Sequence, residues 1–239
     1  MLFRSGASSG DEHGPTDQLR AALLPPRGHP GPVSEPSSTF PAAFFDRDDE
    51  RPDPDFYASP RLVTHIDDGA IAAVGELYDE LGLTGDVLDL MSSWVSHFRT
   101  APAHLTVLGL NAVELDANPQ ADARVVQDLN ASPVLPFADA AFDAVVNCVS
   151  IDYLVRPVDV LAEVARVLRP GGVSVCTFSN RCFPTKAVRG WLSVPEQERP
   201  LVVAEYHRQA GGFGEPVVEQ RVRGTWRADP LWAVWARRE

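Results

Sequence analysis

Val167-Leu168-Arg169-Pro170-Gly171-Gly172-Val173-Ser174-Val175-Cys176-Thr177-Phe178 decides the fold. Proline disfavours helical geometry in the residue before it, and glycine permits the reversal that follows, so this stretch reads as the end of a helix, a turn, and a strand. The run after the glycines is rich in Val and Thr and is short, as strands are. Immediately upstream, Val158, Leu161, Val164, Ala165 and Leu168 fall on one helical face while Asp159, Glu163 and Arg166 point away. Pro157 at the start of that helix removes no intrahelical hydrogen bond. Further upstream lie two more short apolar runs, Phe142-Asp143-Ala144-Val145-Val146-Asn147-Cys148 and Val125-Val126-Gln127-Asp128. Apolar runs bounded by turn residues, with a strongly amphipathic helix before the last, are the pattern of buried parallel strands joined by crossover helices. The chain reads as α/β.

The rest of the sequence extends that pattern in both directions. A helical stripe of Ile66, Ala70, Ala73, Val74, Leu77 and Leu81 follows Asp67 and Asp68, which suit a helix start. Gly85 to Leu90 and Leu105 to Asn111 read as the first two strands. Ala187 to Leu192 and Leu201 to Ala210 read as helices. Val217 to Val222 and Leu231 to Ala236 read as a closing pair of strands, with Pro230 at a boundary.

Of the 239 residues, the first 54 carry much of the proline, interspersed with Gly and Ser. Such a segment buries too little apolar surface to offset its ordering entropy. Two regions are therefore expected: 1–54, a largely disordered Pro/Gly/Ser-rich extension, and 55–239, a single domain. Phe40, Phe44 and Phe45 are three aromatics in that extension that could dock on the domain or on a partner, although a loosely tethered linker is the reading its composition favours. The net charge of −12 and a pI near 4.9 oppose attraction to nucleic acid or anionic membranes. No apolar run approaches bilayer-spanning length, and no signal or transit pattern is evident, so a cytoplasmic location is expected. Cys148, Cys176 and Cys182 lack zinc-ligand spacing, and no metal is expected.

Three motifs occur here in order and at consistent spacing: Asp128-Leu129 followed by Leu135-Pro136-Phe137, then Phe142-Asp143-Ala144-Val145, then Val164-Ala165-Arg166-Val167-Leu168-Arg169-Pro170-Gly171-Gly172. From about Val87 to Glu239 the sequence resembles the class I S-adenosylmethionine-dependent methyltransferases, particularly the small-molecule branch. The resemblance implies a Rossmann-like seven-stranded sheet, mostly parallel, with a C-terminal antiparallel hairpin and helices on both faces. It implies S-adenosylmethionine as cofactor and a small-molecule acceptor.

By the same resemblance the cofactor set is Asp89, Met91, Ser92, Asn111, Asp128, Leu129, Asn147 and Cys148. Asp89 would receive the ammonium group. Asn111, standing where the family usually has an acid, or Glu114 beyond it, would accept from the ribose hydroxyls. Asp128 and the Leu129 N–H would meet the adenine. The family's first loop is glycine-rich, whereas here it is Met91-Ser92-Ser93-Trp94-Val95-Ser96-His97, with Met91, Ser93 and Val95 at the glycine positions. The segment ahead of the first strand commonly covers the site in the family, which makes Tyr57, Arg61 and His65 lid candidates. Tyr57, Tyr153, Asn180 and Arg181 are candidates to line the acceptor pocket, and Arg181 and Lys186 to pair with an anionic substrate. No catalytic base stands out, although Ser92, His97 and Tyr153 can accept protons. Two functions stay open: a methyltransferase, and a methyltransferase-like domain that has lost catalysis and serves as a binding or scaffold module. A cavity filled by Trp94 points to the second, and an open cavity between Asp89 and Asp128 to the first.

Overall fold

The computed structural model describes Phe40, Pro41 and residues 43–239. The chain enters as a short proline-capped helix α1 (Asp53–Phe56) and continues through α2 (Asp68–Glu80), β1 (Asp86–Leu90), β2 (His104–Gly109), α3 (Ala112–Asp116) and β3 (Ala123–Val126). The second half runs β4 (Phe142–Cys148), α4 (Pro157–Val167), β5 (Leu168–Phe178), α5 (Arg189–Ser193), α6 (Arg199–Ala210), β6 (Val217–Val222) and β7 (Leu231–Arg237). The seven strands form one sheet in the order β3-β2-β1-β4-β5-β7-β6. All neighbours are parallel except β7, which is antiparallel to both β5 and β6. The expected Rossmann-like sheet with a C-terminal antiparallel hairpin is present.

Side chains alternate across a strand, so each central strand feeds both faces. Val87, Val107, Ala144, Val146 and Val175 pack with Ile66, Ala70, Val74, Leu77 and Tyr78 of the α2 region on one face. Leu88, Leu90, Leu108, Val145 and Cys176 pack on the other with α4 and α6, through Val160, Leu161, Val164, Val203 and Tyr206. Asp67 caps α2 by accepting from the Ala70 N–H. Helices therefore cover both faces.

Arg166, outward on α4 as its spacing requires, donates to Glu163, Asp139 and the carbonyls of Leu135 and Phe137. It clamps the Leu135-Pro136-Phe137 connection onto the helix. The turn expected at Arg169-Pro170-Gly171-Gly172 is instead absorbed into β5. Phe142 pairs with Leu168 and Ala144 with Val173, so the extra residues form a bulge, with Gly171 at φ 79° supplying its left-handed step.

Phe40, Pro41 and residues 43–54, assigned by composition to the extension, pack against the domain; the rest of that extension lies outside the described residues. Phe40 and Phe44 are buried in the core with Tyr206 and Trp191. A Cβ on Gly190 would meet the Phe44 ring at 2.2 Å, so glycine at 190 makes the dock possible. Backbone bonds from Gly190 N to Phe44 O, Arg189 N to Asp46 O and Asp49 N to Thr185 O, each 2.8 Å, zip the segment down. Among the described residues no helix is long and apolar enough to cross a membrane.

Candidate functional site

In open parallel sheets a crevice forms outside the carboxyl ends of the strands where strand order reverses. Here that point lies between β1 and β4, and a cavity of about 340 Å³ opens there, of the size small-molecule sites have. The loop after β1, the ends of β2 and β4, and the segment 57–65 wall it.

Asp89, near the carboxyl end of β1, is 3 % exposed. Burial pushes its carboxyl up to about 7, against the opposing pull of the Ser96 and Ser92 hydroxyls; Ser92 Oγ donates to Asp89 Oδ2 at 2.7 Å. A desolvated acid open to a cavity favours a cationic partner. Met91 takes φ 55°, the conformation that suits glycine, so the loop keeps a glycine-like path at a cost of about 1–2 kcal/mol. His97 (φ 57°) and Val149 (φ 47°) on the same wall are also left-handed. Strain of this kind concentrates at functional sites.

The close approach expected of loop glycines comes from the opposite side. A Cβ on Gly109 would meet the Ser92 carbonyl oxygen at 2.3 Å, and Ser92 N donates to Leu108 O at 2.8 Å. A lone glycine in a strand is a readable sign of such an approach. Trp94 is a wall of the cavity and does not plug it; its indole N–H donates to Val63 O at 3.1 Å. The neighbouring Ser93 hydroxyl donates to Glu114 Oε2 (2.6 Å), and Glu114 Oε1 accepts from the Arg61 N–H (2.7 Å). Ser93, through Glu114, and Trp94 thus tie down the segment in front of the cavity.

Asn111 is committed to the same task. Its Oδ1 caps α3, accepting from Val113 and Glu114, while its Nδ2 donates to the carbonyls of Tyr57 and Ala58. Glu114, also on the cavity wall, keeps further acceptor capacity on a carboxylate whose two oxygens each carry one bond. Asp128 is part-exposed on the wall, with Oδ1 accepting from the Asn130 and Ala131 N–H groups; Leu129 adjoins it. Cys148 also lines the cavity, its thiol pushed up to about 12 by burial and therefore neutral.

Three expected site residues lie elsewhere. Asn147 points to the opposite face from Cys148, as neighbours on a strand must. It sits 5 % exposed among Leu90, Leu129, Ile151 and Leu154, donating to Leu90 O at 3.3 Å, with its Oδ1 unpartnered among the described residues. Asn180 is exposed and stands off the cavity wall. Lys186 is fully buried and pairs with Asp53 at 3.0 Å, because the docked N-terminal segment covers it.

Of the acceptor-side candidates, Tyr57, Tyr153 and Arg181 do line the cavity. The Tyr153 hydroxyl accepts from the Phe183 N–H at 2.9 Å, and Arg181 pairs with Asp229 at 2.7 Å. Asp53 was not anticipated. It borders the cavity and is the hub of a buried network with Arg47, Lys186 and Asn130. Its signal in the sequence is faint: a carboxylate in a proline-rich run, with partners up to 133 residues away.

Residues 91–176 match a family model described as a methyltransferase domain. A stretch of 55 residues is 51% identical to a protein named demethylmenaquinone methyltransferase from Mycobacterium sp. strain KMS, and equally to that of strain JLS. It covers 21% of this chain and 24% of theirs, so the chain spans about a quarter of the length of the curated relatives it matches. Among solved structures, the cyclase SpnF superposes with a TM-score of 0.54 at 17% identity, over 77% of this chain and 90% of that one. A Pyrococcus horikoshii OT3 protein gives 0.51 at 16%, over 77% and 99%. The trans-methyltransferase CalH gives 0.50 at 15%, over 70% and 55%. At such identities these likenesses speak for the fold, and the cyclase among them shows that the fold alone does not dictate the reaction.

Proposed function

We propose that this chain, which has the class I methyltransferase fold and carries a methyltransferase domain over residues 91–176, transfers a methyl group from S-adenosylmethionine to a small-molecule acceptor in the cytoplasm. The observation that carries the reading is the open cavity at the β1/β4 reversal, with a desolvated Asp89 carboxyl on one side and Asp128 on the other. Asp89, with Ser92 orienting it, would hold the cofactor's ammonium group. The backbone at Met91 and Ser92 would run along its amino-acid part, and Glu114 would take the ribose hydroxyls that the engaged Asn111 leaves unserved. Asp128 and the Leu129 N–H would meet the adenine, with Cys148 a neutral wall beside the transferred methyl. When bound, the cofactor supplies an intrinsically reactive sulfonium methyl. What remains for the protein is alignment and exclusion of water, which the tethered segment 57–65 provides.

The non-catalytic reading draws on Asn111, whose amide is spent on structure. One experiment separates the two. Isothermal titration of the purified protein with S-adenosylmethionine and with S-adenosylhomocysteine should give saturable binding that Asp89→Asn weakens about tenfold or more. Titrations that saturate with neither compound would remove the methyltransferase reading.

A further inference from the structure

The loop after β3 is fastened to the N-terminal segment through a single amide side chain. Asp128 Oδ1 accepts from the Asn130 N–H at 2.9 Å and the Ala131 N–H at 3.3 Å, and Asp128 O accepts from the Ser132 N–H at 2.9 Å. This turn engages one carboxylate oxygen and leaves Oδ2 without a hydrogen bond among the described residues, on a side chain that lines the cavity. A turn of this kind is local, so it orients the carboxylate within the loop but does not set where the loop stands against its neighbours. The Asn130 side chain does that. Its Oδ1 accepts from the Val155 N–H at 2.8 Å, and its Nδ2 donates to Tyr153 O at 2.9 Å and to Asp53 Oδ2 at 2.7 Å. Both amide hydrogens are thereby used. Asp53 lies 77 residues upstream, is 4 % exposed, and is itself fixed by Arg47 at 2.8 and 2.9 Å and by Lys186 at 3.0 Å. A hydrogen bond to a buried carboxylate is stronger than one between neutral groups. Asp53 and Asn130 both border the cavity, so this fastening is made at the site and not behind it.

We propose that the N-terminal segment 43–56 is part of the cofactor site: Asp53 holds Asn130, and Asn130 holds the Asp128 carboxylate where it selects a purine that bears an amino group. Asn130 is a positioning residue that acts through Asp128. The inference rests on the methyltransferase reading and adds to it a dependence of cofactor recognition on the docked segment. Coupling between two sites is reciprocal, so a ligand that engages Asp128 also tightens the docking of the segment.

The test uses the full chain and two ligands that differ by one group: S-adenosylhomocysteine and its purine riboside analogue, which lacks the 6-amino group. Calorimetry on the wild type should show S-adenosylhomocysteine binding about tenfold tighter or more, the worth of a hydrogen bond to a carboxylate. In Asn130→Ala that preference should fall to about twofold, while the affinity for the analogue stays within about threefold of wild type. A purely structural role for Asn130 would weaken both ligands alike and keep the preference, and that result overturns the proposal. Asn130→Ser, whose side chain is too short to reach Asp53, guards against a misfolded alanine variant and should lose the preference too; a preference kept in it also counts against the coupling. In an Asp128→Ala background neither substitution should cost further S-adenosylhomocysteine affinity, because nothing is left to position; an added loss overturns the route through Asp128. Hydrogen exchange reads the reverse direction at the Asp49, Arg189 and Gly190 amides, which hold the segment down. S-adenosylhomocysteine should slow their exchange more than the analogue does, and Asn130→Ala should abolish the difference. Equal slowing by both ligands in the wild type means that segment and carboxylate are uncoupled. A wild type that binds both ligands equally removes the proposal and leaves the methyltransferase reading intact, whereas saturation with neither defeats both.

Discussion

Asp89 has a carboxyl whose ordinary value near 3.8 is pushed up to about 7 by burial, and Asp152, buried with its Oδ2 unpartnered, is pushed to about 7 for the same reason. Between pH 4 and 7 the native state binds protons that the unfolded chain has already released. Stability therefore falls as pH rises through that window, by up to ~1.4 kcal/mol per unit for each group, and the decline steepens toward this limit as the unfolded carboxyls ionise and persists until the native ones do. Above pH 7 the native carboxyls ionise too, and the dependence levels off. Urea denaturation of the ligand-free protein from pH 5 to pH 8 should show this decline, and Asp89→Asn should remove about half of it, leaving the share of Asp152; a rise across the window would contradict a buried neutral Asp89. On the proposed function, an ammonium group seated at Asp89 would restore the charged carboxylate, so titrations with S-adenosylmethionine near pH 6.5 in buffers of different ionisation enthalpy should reveal proton release, absent in Asp89→Asn. Gly109 makes a second prediction at this scale. The Ser92 carbonyl oxygen lies 2.3 Å from where an alanine methyl would sit, and backbone has no flexible end that can yield, so Gly109→Ala must move the loop after β1. The expected cost is about 1–3 kcal/mol in stability, with weaker cofactor binding by calorimetry; an unchanged affinity would mean that the loop is not seated on β2.

The segment preceding β1 acts as one element, held at both ends by side chains remote in sequence. At its start, Arg47 contacts both Asp53 oxygens at 2.8 and 2.9 Å, Asn130 donates to Asp53 at 2.7 Å, and Lys186 lies 3.0 Å away. At its end, Asn111, Glu114 and Trp94 hold Tyr57, Arg61 and Val63. Removing the hub differs from removing a spoke. Asp53→Ala strips the shared carboxylate from two buried cations and should cost about 3–5 kcal/mol. Lys186→Met leaves Asp53 with Arg47 and Asn130 but also strips the Asp49 and Arg51 carbonyls of a donor, so its cost should be smaller than that of Asp53→Ala, about 1–3 kcal/mol. Urea midpoints measure both, and equal losses would mean that Asp53 is not the hub. Little of this network was legible in the sequence, since, the Arg47–Asp53 pair apart, its hydrogen-bond and ion-pair partners are separated by 31 to 133 residues and leave no local pattern. Lys186, read from its loop context as a substrate contact, is instead a structural cation.

For the whole molecule, the sheet was legible because each buried strand carries its own continuous apolar run and α4 its own stripe. The antiparallel closing pair likewise announced itself at Val217–Val222 and Leu231–Ala236, the second running one residue further in the structure. Most of the residues expected at the site line the cavity, but Asn147 does not, because the choice of face depends on register, and one residue decides it. For the N-terminal limit of the domain, we propose a start before residue 55. Composition averages over a window, and a proline-rich average conceals Phe40 and Phe44, which are 6 % and 5 % exposed. Their rings lie 4.9 Å apart, with Phe40 5.2 Å from Tyr206. Losing a buried Phe side chain typically costs ~3–5 kcal/mol, and a domain's total stability is about 5–15 kcal/mol. A chain beginning at residue 55 gives up both phenylalanines together with Asp53, and so uncovers Lys186 and the groove at Gly190. It should lose most of its stability and unfold without a cooperative transition by circular dichroism, where the full chain shows one. Retention of the full-chain midpoint would make residues 40–54 a peripheral attachment and return the boundary to residue 55.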